Sequence, residues 1–447
     1  MFDCVLVANR GEIAVRILRT VQRLGLRAVG VHSEADAGAL HTRVADASVP
    51  IGPAPAAQSY LVIDNLLAAA RDSGAQAVHP GYGFLAENAD FARAVAGAGL
   101  TWIGPSPGSM EAMGDKVAAR NTMSDAGVPV APGTRETVSD VADALVRAGE
   151  VGYPLMVKAS AGGGGIGMAV VEDESGLRTA FETARNRAER SFGSPAILLE
   201  RFVPAARHVE VQILGLADGR VIALGERDCS VQRRHQKVAE ETPSPGVDDA
   251  LRAAMLAAAV RAGEAVGYLG AGTIEFLVDT SRPGHFYFLE MNTRLQVEHP
   301  VTELVTGLDL VEEQLRIAAG HQPTFGAAAP PSAGHAFEFR VYAEDPRRFL
   351  PSPGTIQRWK EPAGEGIRVD AGYAAGDTVT PYYDPLMAKL CVWGEDRPAA
   401  LARAAEAVED FVIEGPKNNL PFFAELLADG GFSSGQYDTG LIARLRA

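Results

Sequence analysis

Two carboxylates raise the first chemical question. In Gly272–Val278 (GTIEFLV), strand alternation puts Glu275 on the face opposite Ile274, Phe276 and Val278. In Phe286–Asn292 (FYFLEMN), Glu290 and Asn292 share a face. If these segments form a hairpin around residues 280–285, Glu275 and Glu290 fall directly opposite each other. Cross-strand neighbours have Cβ atoms about 4.5–5.5 Å apart, where like charges are destabilising. A divalent cation removes that penalty. Two carboxylates and an amide oxygen are hard ligands of the kind Mg²⁺ takes beside substrate phosphates. The alternative is a solvated hairpin face with the register off by one. The otherwise apolar segment favours the metal.

The next residues extend the chemistry. Asn292 to Pro300 (NTRLQVEHP) supplies a fixed fork of donors in Arg294, an amide in Gln296 and a candidate base in Glu298. Upstream, Lys158 ends a predicted strand at the mouth of four consecutive glycines, Gly162 to Gly165. Such a run is entropically unfavourable unless its backbone must approach a ligand, and polyphosphate oxygens are suited to it. The spacing is neither GxxxxGK[ST] nor GxGxxG. Gly81 to Ala86 does fit GxGxxA after a strand, but the expected acidic residue is missing, so it reads as a structural turn. Arg233-Arg234-His235-Gln236-Lys237 is a basic cluster that Glu240 and Glu241 could neutralise. His208 beside Arg207 reads by itself as structural, and Cys229 has no supporting motif.

Composition bounds these ideas. The 447 residues carry 41 Lys plus Arg against 56 Asp plus Glu, a net charge of −15. Such a chain repels nucleic acid and anionic membranes, but admits a small anion where positive charge is concentrated. Three cysteines are too few and too scattered for a disulfide framework or a CxxC zinc site. No signal peptide and no apolar run of about 18 residues is present, so a soluble cytoplasmic protein is expected.

The elements that must position these groups begin with strand–helix alternation. Cys4–Ala8, Arg27–Ser33 and Ala75–His79 read as strands; Ile13–Leu24, Leu61–Arg71 and Asn88–Gly99 read as helices. That order predicts an α/β doubly wound parallel sheet. A small α/β lobe over about 130–203 follows, with strands at Val151–Lys158, Met168–Val171 and Ala196–Glu200 and a helix at Ser175–Arg190. Val209–Gly215, Val221–Asp228, Gly272–Val278 and His285–Met291 carry antiparallel signals, and 321–335 is a Pro/Ala/Gly linker.

Together these stretches resemble the biotin carboxylase family of ATP-grasp enzymes. The resemblance rests on Ala8-Asn9-Arg10-Gly11-Glu12-Ile13-Ala14, His79 to Leu85, Met113-Gly114-Asp115-Lys116, Val157-Lys158-Ala159 with the glycine run, Gln232 to Lys237 and Glu290 to Pro300. Arg340 to Pro346 and Tyr382-Tyr383-Asp384-Pro385 complete it, in order over about residues 2–445. It implies an ATP-grasp fold with a doubly wound (Rossmann-like) domain at 1–113, an ATP-grasp region at 114–318 including a mobile lid, and an α+β C-terminal domain at 319–447.

The resemblance also implies an activity: an ATP-dependent ligase that phosphorylates bicarbonate and carboxylates biotin through carboxyphosphate, the first half-reaction of an acetyl-CoA or other acyl-CoA carboxylase. Matched residue by residue, Lys116, Lys158, Gly164 and Gly165 would contact ATP, with Glu200 and Val203 at the adenine and His208 and His235 nearby. Glu275, Glu290 and Asn292 would hold Mg²⁺ or Mn²⁺. Lys237, Arg294, Gln296 and Val297 would bind bicarbonate, Glu298 would be the base, and Arg340 would stabilise the biotin enolate. The implied partners are a biotin carboxyl carrier protein and a carboxyltransferase subunit, with the enzyme itself a homodimer.

Two departures stand out. Ile166 occupies the place where the family's glycine run leads into a basic residue, and no Met-Lys dipeptide marks a biotinylated lysine. Biotin is therefore expected on a separate carrier. Three other functions remain open at this point: an ATP-grasp ligase for another carboxylate, a nucleotide-binding regulatory subunit without turnover, and an NAD-linked oxidoreductase resting on GxGxxA alone.

Overall fold

The computed structural model describes residues 2–160, 168–326 and 328–446. The glycine run with Gly164, Gly165 and Ile166 lies outside them, so the contacts expected there lie outside the described residues too. No described helix is long and apolar enough to cross a membrane.

Strand β1 (Cys4–Val7) is apolar and buried throughout, as a strand covered on both faces must be. It pairs in parallel with β2 (Arg27–His32) and with β4 (Ala77–His79); β3 (Ala47–Pro50) and β5 (Thr101–Trp102) close the edges. The order β3-β2-β1-β4-β5 reverses at β1, so the loops after β1 and β4 flank a crevice. The GxGxxA segment is a turn there. Gly81 has φ +65° and lies so close to Asn9 and Ile13 that a Cβ would sit 3.0–3.1 Å from them. The Asn9 amide donates to the carbonyls of Pro80 and Tyr82 and ties the two loops together.

The next unit has its own core around Leu155, Val157, Phe181 and Leu199. Strand β6 (Leu155–Ala159) pairs antiparallel with β7 (Ala169–Val171) and β8 (Ile197–Arg201), under helices Val141–Val151 and Glu174–Phe192. The strand expected from Val151 begins only at Leu155. Val151 ends a helix instead, and Gly152 at φ +81° makes the turn.

The remainder is organised by eight strands: β9 (Ala206–Gly215), β10 (Val221–Arg233), β11 (Gln236–Thr242), β12 (Gly270–Asp279), β13 (Phe286–Asn292), β14 (His335–Tyr342), β15 (Ile367–Ala371) and β16 (Leu386–Gly394). Their order is β13-β12-β9-β10-β11-β14-β16-β15, antiparallel throughout. The sheet runs on across residues 321–334, because β11 pairs with β14. Alternation sorts each strand. In β14, Phe337, Phe339 and Val341 enter a core with Phe422 and Phe423, which leaves Glu338 and Arg340 for the other face. Helix Asp249–Ala265, capped by the Asp248 carboxylate on the Leu251 N–H, covers β9 and β10.

Charged anchors fasten the first sheet to the last. Arg10 makes a buried two-point pair with Asp36, at 2.6 and 2.8 Å, and its guanidinium lies 4.3 Å from the Tyr383 ring centroid. Asp36 also accepts from the Tyr60 hydroxyl. Truncating Asp36 leaves a buried guanidinium without its charge partner, which costs about 3–5 kcal/mol. Asp36→Ala should therefore lower the first urea unfolding midpoint clearly below that of the parent. An unchanged midpoint contradicts the anchor.

Candidate active site

The central strands of the large sheet bring acidic residues into one row. Glu275 on β12 lies opposite Glu290 on β13, as alternation indicated, and opposite Glu210 on its other neighbour β9. Glu210 in turn lies opposite Arg227 on β10. A register shift follows between Glu275 and Phe276, so the strands bulge beside the paired carboxylates. Such a row is unstable without cations. Lys237, reaching across from β11, puts its Nζ 2.5 Å from Glu210, 2.7 Å from Glu275 and 2.8 Å from Glu298.

Glu298 is the meeting point. It precedes helix His299–Thr306 and is buried. One carboxylate oxygen accepts from Lys237; the other accepts from Arg340 Nη2 at 3.0 Å. Arg340 also donates through Nε to Glu240 at 2.7 Å. Burial alone would raise the Glu298 carboxyl, but Lys237, Arg340 and Arg227 hold it well below the usual carboxylate range. Glu275 is treated the same way: burial opposes ionisation, while Lys237 and His208 enforce it. Lys237 stays charged despite burial because Glu210, Glu275 and Glu298 surround it. Glu240 is pushed up to about 7, first by burial and, against Arg340, by the charge on Glu298.

The loop after β13 is held from both sides. Gln296 donates to Glu275 at 3.0 Å and accepts from Arg227 at 3.1 Å. Asn292 donates to Glu275 at 2.8 Å and turns its oxygen to Arg294 Nη2, also 2.8 Å away. Arg294 Nε and the Thr293 N–H both reach Glu87, at 2.9 and 3.1 Å. The Val297 carbonyl accepts from Lys389 at 2.8 Å. His208 Nε2 lies 3.0 Å from Glu275. Burial lowers this imidazole most, but the charge and hydrogen bond of Glu275 together with Glu210 raise it overall.

A second cationic group lies across the cleft. Lys116 opens helix Lys116–Asp125, whose cap is Asp115. Lys158 on β6 pairs with Glu200 on β8, and Arg120 Nε stands 3.7 Å from the same carboxylate. Burial acts against the Glu200 charge, but Lys158 and Arg120 hold its carboxyl low. Burial depresses the Lys116 amine; Glu290 partly restores it, while Lys158 adds to the depression. Glu290 therefore feels both groups. The protein around it and the charge on Glu275 raise its own carboxyl.

Of the sequence candidates, Lys237, Glu275, Asn292, Arg294, Gln296, Glu298, Arg340 and His208 meet in one contact network. Lys116, Lys158 and Glu200 form the second group. Val203 is buried just past β8. His235 is exposed at the tip of the β10–β11 turn, where it and Arg234 take positive φ, +67° and +49°. Two further members of the basic cluster, besides His235, stay out of the network. Arg234 points to solvent, and Arg233 pairs with Glu344 at 3.1 Å and stacks 4.3 Å from the Phe349 centroid. Glu240 and Glu241 do not neutralise that cluster as the sequence suggested: Glu240 serves Arg340, and Glu241 serves His335 and Arg397. Glu87, Glu210, Arg227 and Lys389 escaped the sequence reading. Lys389 is a lone charge in the apolar stretch 386–393, a signal that names no partner; the other three lie among polar neighbours and carry no distinguishing signal.

Two tight groups of potential metal-ligand atoms occur among the described residues, His208/Glu210/Glu275 and Glu210/Cys229/Glu298. The Lys237 ammonium already sits against three of these carboxylates, so it takes the place of a cation there. At the cleft edge the chemistry differs. Glu290 opposes Glu275 directly and carries a carboxyl raised first by the surrounding protein and then by that charge. With the amide oxygen of Asn292 it makes a hard-oxygen set that fits a divalent ion.

Residues 1–110 match the biotin carboxylase N-terminal domain, 115–324 the ATP-binding domain of the carbamoyl-phosphate synthase L chain, and 338–444 the biotin carboxylase C-terminal domain. Biotin carboxylase 2 of Bacillus subtilis is 50% identical over 442 residues, covering 99% of both chains. The propionyl-CoA carboxylase alpha chain of Ruegeria pomeroyi is 47% identical over 99% of this chain and 68% of its own length. A β-γ-ATP complex of biotin carboxylase from Campylobacter jejuni superposes with TM-score 0.96 at 43% identity, covering 99% of both chains. The biotin carboxylase domain dimer of Hydrogenobacter thermophilus 2-oxoglutarate carboxylase, solved with MgADP, ADP and bicarbonate, gives 0.94 at 43% identity, over 99% of this chain and 98% of that one. The chain belongs to the biotin carboxylase family of ATP-dependent carboxylating ligases.

Proposed function

We propose that this chain carboxylates biotin borne on a separate carrier protein, and that the Lys237–Glu298–Arg340 arrangement is where bicarbonate and biotin meet. One observation supports this most: a single buried carboxylate, Glu298, is shared by two cations that approach from different strands. The Arg294 fork, the Gln296 amide, Lys237 and the Val297 backbone bind bicarbonate, since a guanidinium matches a planar anion through two parallel hydrogen bonds. Glu298 is ionised and takes the bicarbonate proton. As the anion draws Lys237 and Arg294 to itself, the hold on Glu298 loosens and its basicity rises.

Lys116 and Lys158 neutralise ATP phosphates together with the Gly164–Gly165 backbone, while Glu200 and Val203 border the adenine, near His208 and His235. Phosphoryl transfer needs positioning and charge neutralisation, not a covalent nucleophile, and these residues supply both. Glu275, Glu290 and Asn292 would hold Mg²⁺ or Mn²⁺, which would supply positive charge against the phosphate oxygens. Arg340 serves the enolate oxygen of biotin, which demands a fixed positive donor. The three-stranded unit around β6 closes as a lid over the nucleotide. The enzyme works as a homodimer in the cytoplasm, where ATP and acyl-CoA are available, and hands carboxybiotin to a carboxyltransferase in acyl-CoA or fatty-acid metabolism. Its three cysteines are free and buried, consistent with a reducing compartment.

Incubation with labelled bicarbonate, free biotin, ATP and Mg²⁺ should yield label in carboxybiotin, and none without ATP. ATP turnover without label transfer would point to a ligase for a different carboxylate. Arg340→Ala should cut label transfer about 100-fold while leaving the ATP KM within about threefold. Equal loss of both would remove Arg340 from the biotin step.

A further inference from the structure

A second buried cation grips the same loop. Lys389 on β16 has 0% side-chain exposure. Its cross-strand partners are Arg340 on β14 and Asp370 on β15, so two cations stand side by side in one row. Like charges directly opposite each other repel, and a buried ammonium persists only when compensated. Here each cation is neutralised on its own side. Arg340 leans to Glu240 and Glu298. Lys389 has Glu12 at 3.2 Å and Asp370 at 3.8 Å. Asp370 is itself fixed by Arg368 at 2.7 and 2.9 Å, and Glu12 accepts from the Tyr82 hydroxyl.

Lys389 then spends a donor on the main-chain carbonyl of Val297, at 2.8 Å. Arg340 donates to the side chain of the next residue, Glu298, at 3.0 Å. Neighbouring positions on adjacent strands thus hold consecutive residues of the loop that carries Arg294, Gln296 and Glu298. A hydroxyl or amide could satisfy one carbonyl without burying charge. The ammonium adds a strong, charge-assisted bond on a long stem, anchored by Glu12 from the helix after β1 and by Asp370 on β15.

We infer that Lys389 is a positioning residue for the anion site: it fixes the Val297 carbonyl, and with it the origin of the Glu298 side chain and the plane of the adjoining peptide. The inference rests on the bicarbonate site proposed above. Burial would strip the charge from Lys389, but Glu12, Glu338 and Asp370 more than restore it, so the donor is permanent.

Lys389→Met keeps the bulk and removes the donor. Its bicarbonate KM should rise about tenfold, the effect of losing one charge-assisted hydrogen bond, while the ATP KM stays within about twofold. Equal rises in both constants, or no rise in either, overturn the positioning role. Should Lys389→Met fail to fold, Glu12→Gln decides. It keeps the acceptor for Tyr82 but loosens Lys389, and it should raise the bicarbonate KM alone, about threefold; an unchanged value overturns the role. Arg294→Lys, measured in parallel, separates the two levels. If it leaves the bicarbonate KM unchanged, the anion site itself is misplaced and the inference falls with it. If it raises that constant and Lys389→Met does not, only the role of Lys389 fails.

Discussion

One carboxylate held between two buried cations sets the terms for the rest of the molecule. Glu298 cannot be buried as an anion alone, because an uncompensated charge inside a protein is untenable. Lys237 and Arg340 make it possible, and each then needs further carboxylates: Glu210 and Glu275 for the lysine, Glu240 for the arginine. Compensation spreads outward through Arg227 to Gln212, Thr302 and Gln296. Lys237, Arg340, Glu210 and Glu298 each have at least two charged partners, so the geometry is over-determined. A phosphoryl-transfer site requires this, since its catalysis lies in placement.

The eight-stranded sheet is what allows compensation at such range. Glu275, Glu210, Lys237 and Arg340 come from β12, β9, β11 and β14, all members of one hydrogen-bonded surface. A charge on a paired strand cannot drift, because its backbone is held on both sides. The loop after β13 has no such support of its own. It receives it from Glu87 on the first domain and from the cations of the sheet. The Arg10–Asp36–Tyr383 anchor keeps those bodies in place. Stability and function thus draw on the same buried ions.

Legibility in the sequence followed the range of the interaction. The pairing of Glu275 with Glu290 could be read because alternation fixes each face and a short turn fixes the register. The parallel first sheet could be read from its strand–helix rhythm. The contacts of Lys237 could not, since they depend on β11 lying two strands from β9, which no local pattern specifies. Arg233 shows the opposite case: it lies four residues before Lys237 in sequence, but Glu344 and Phe349, over a hundred residues away, claim it. Lys389 lay hidden because a lone charge in an apolar stretch has no visible partner, and Glu87 because its partners Thr293 and Arg294 are about 200 residues away. The residue-level roles came into view through the family resemblance; the side-chain geometry shows which of those residues share a network.

The central claim is that Glu298 is the ionised base on which the bicarbonate step turns. Its most direct measurement is bicarbonate-dependent ATP hydrolysis by Glu298→Gln, which keeps the shape and the acceptor oxygen but removes the charge. The account predicts a fall in turnover of about 100-fold or more, with the ATP KM little changed. Turnover within about threefold of the parent would contradict it.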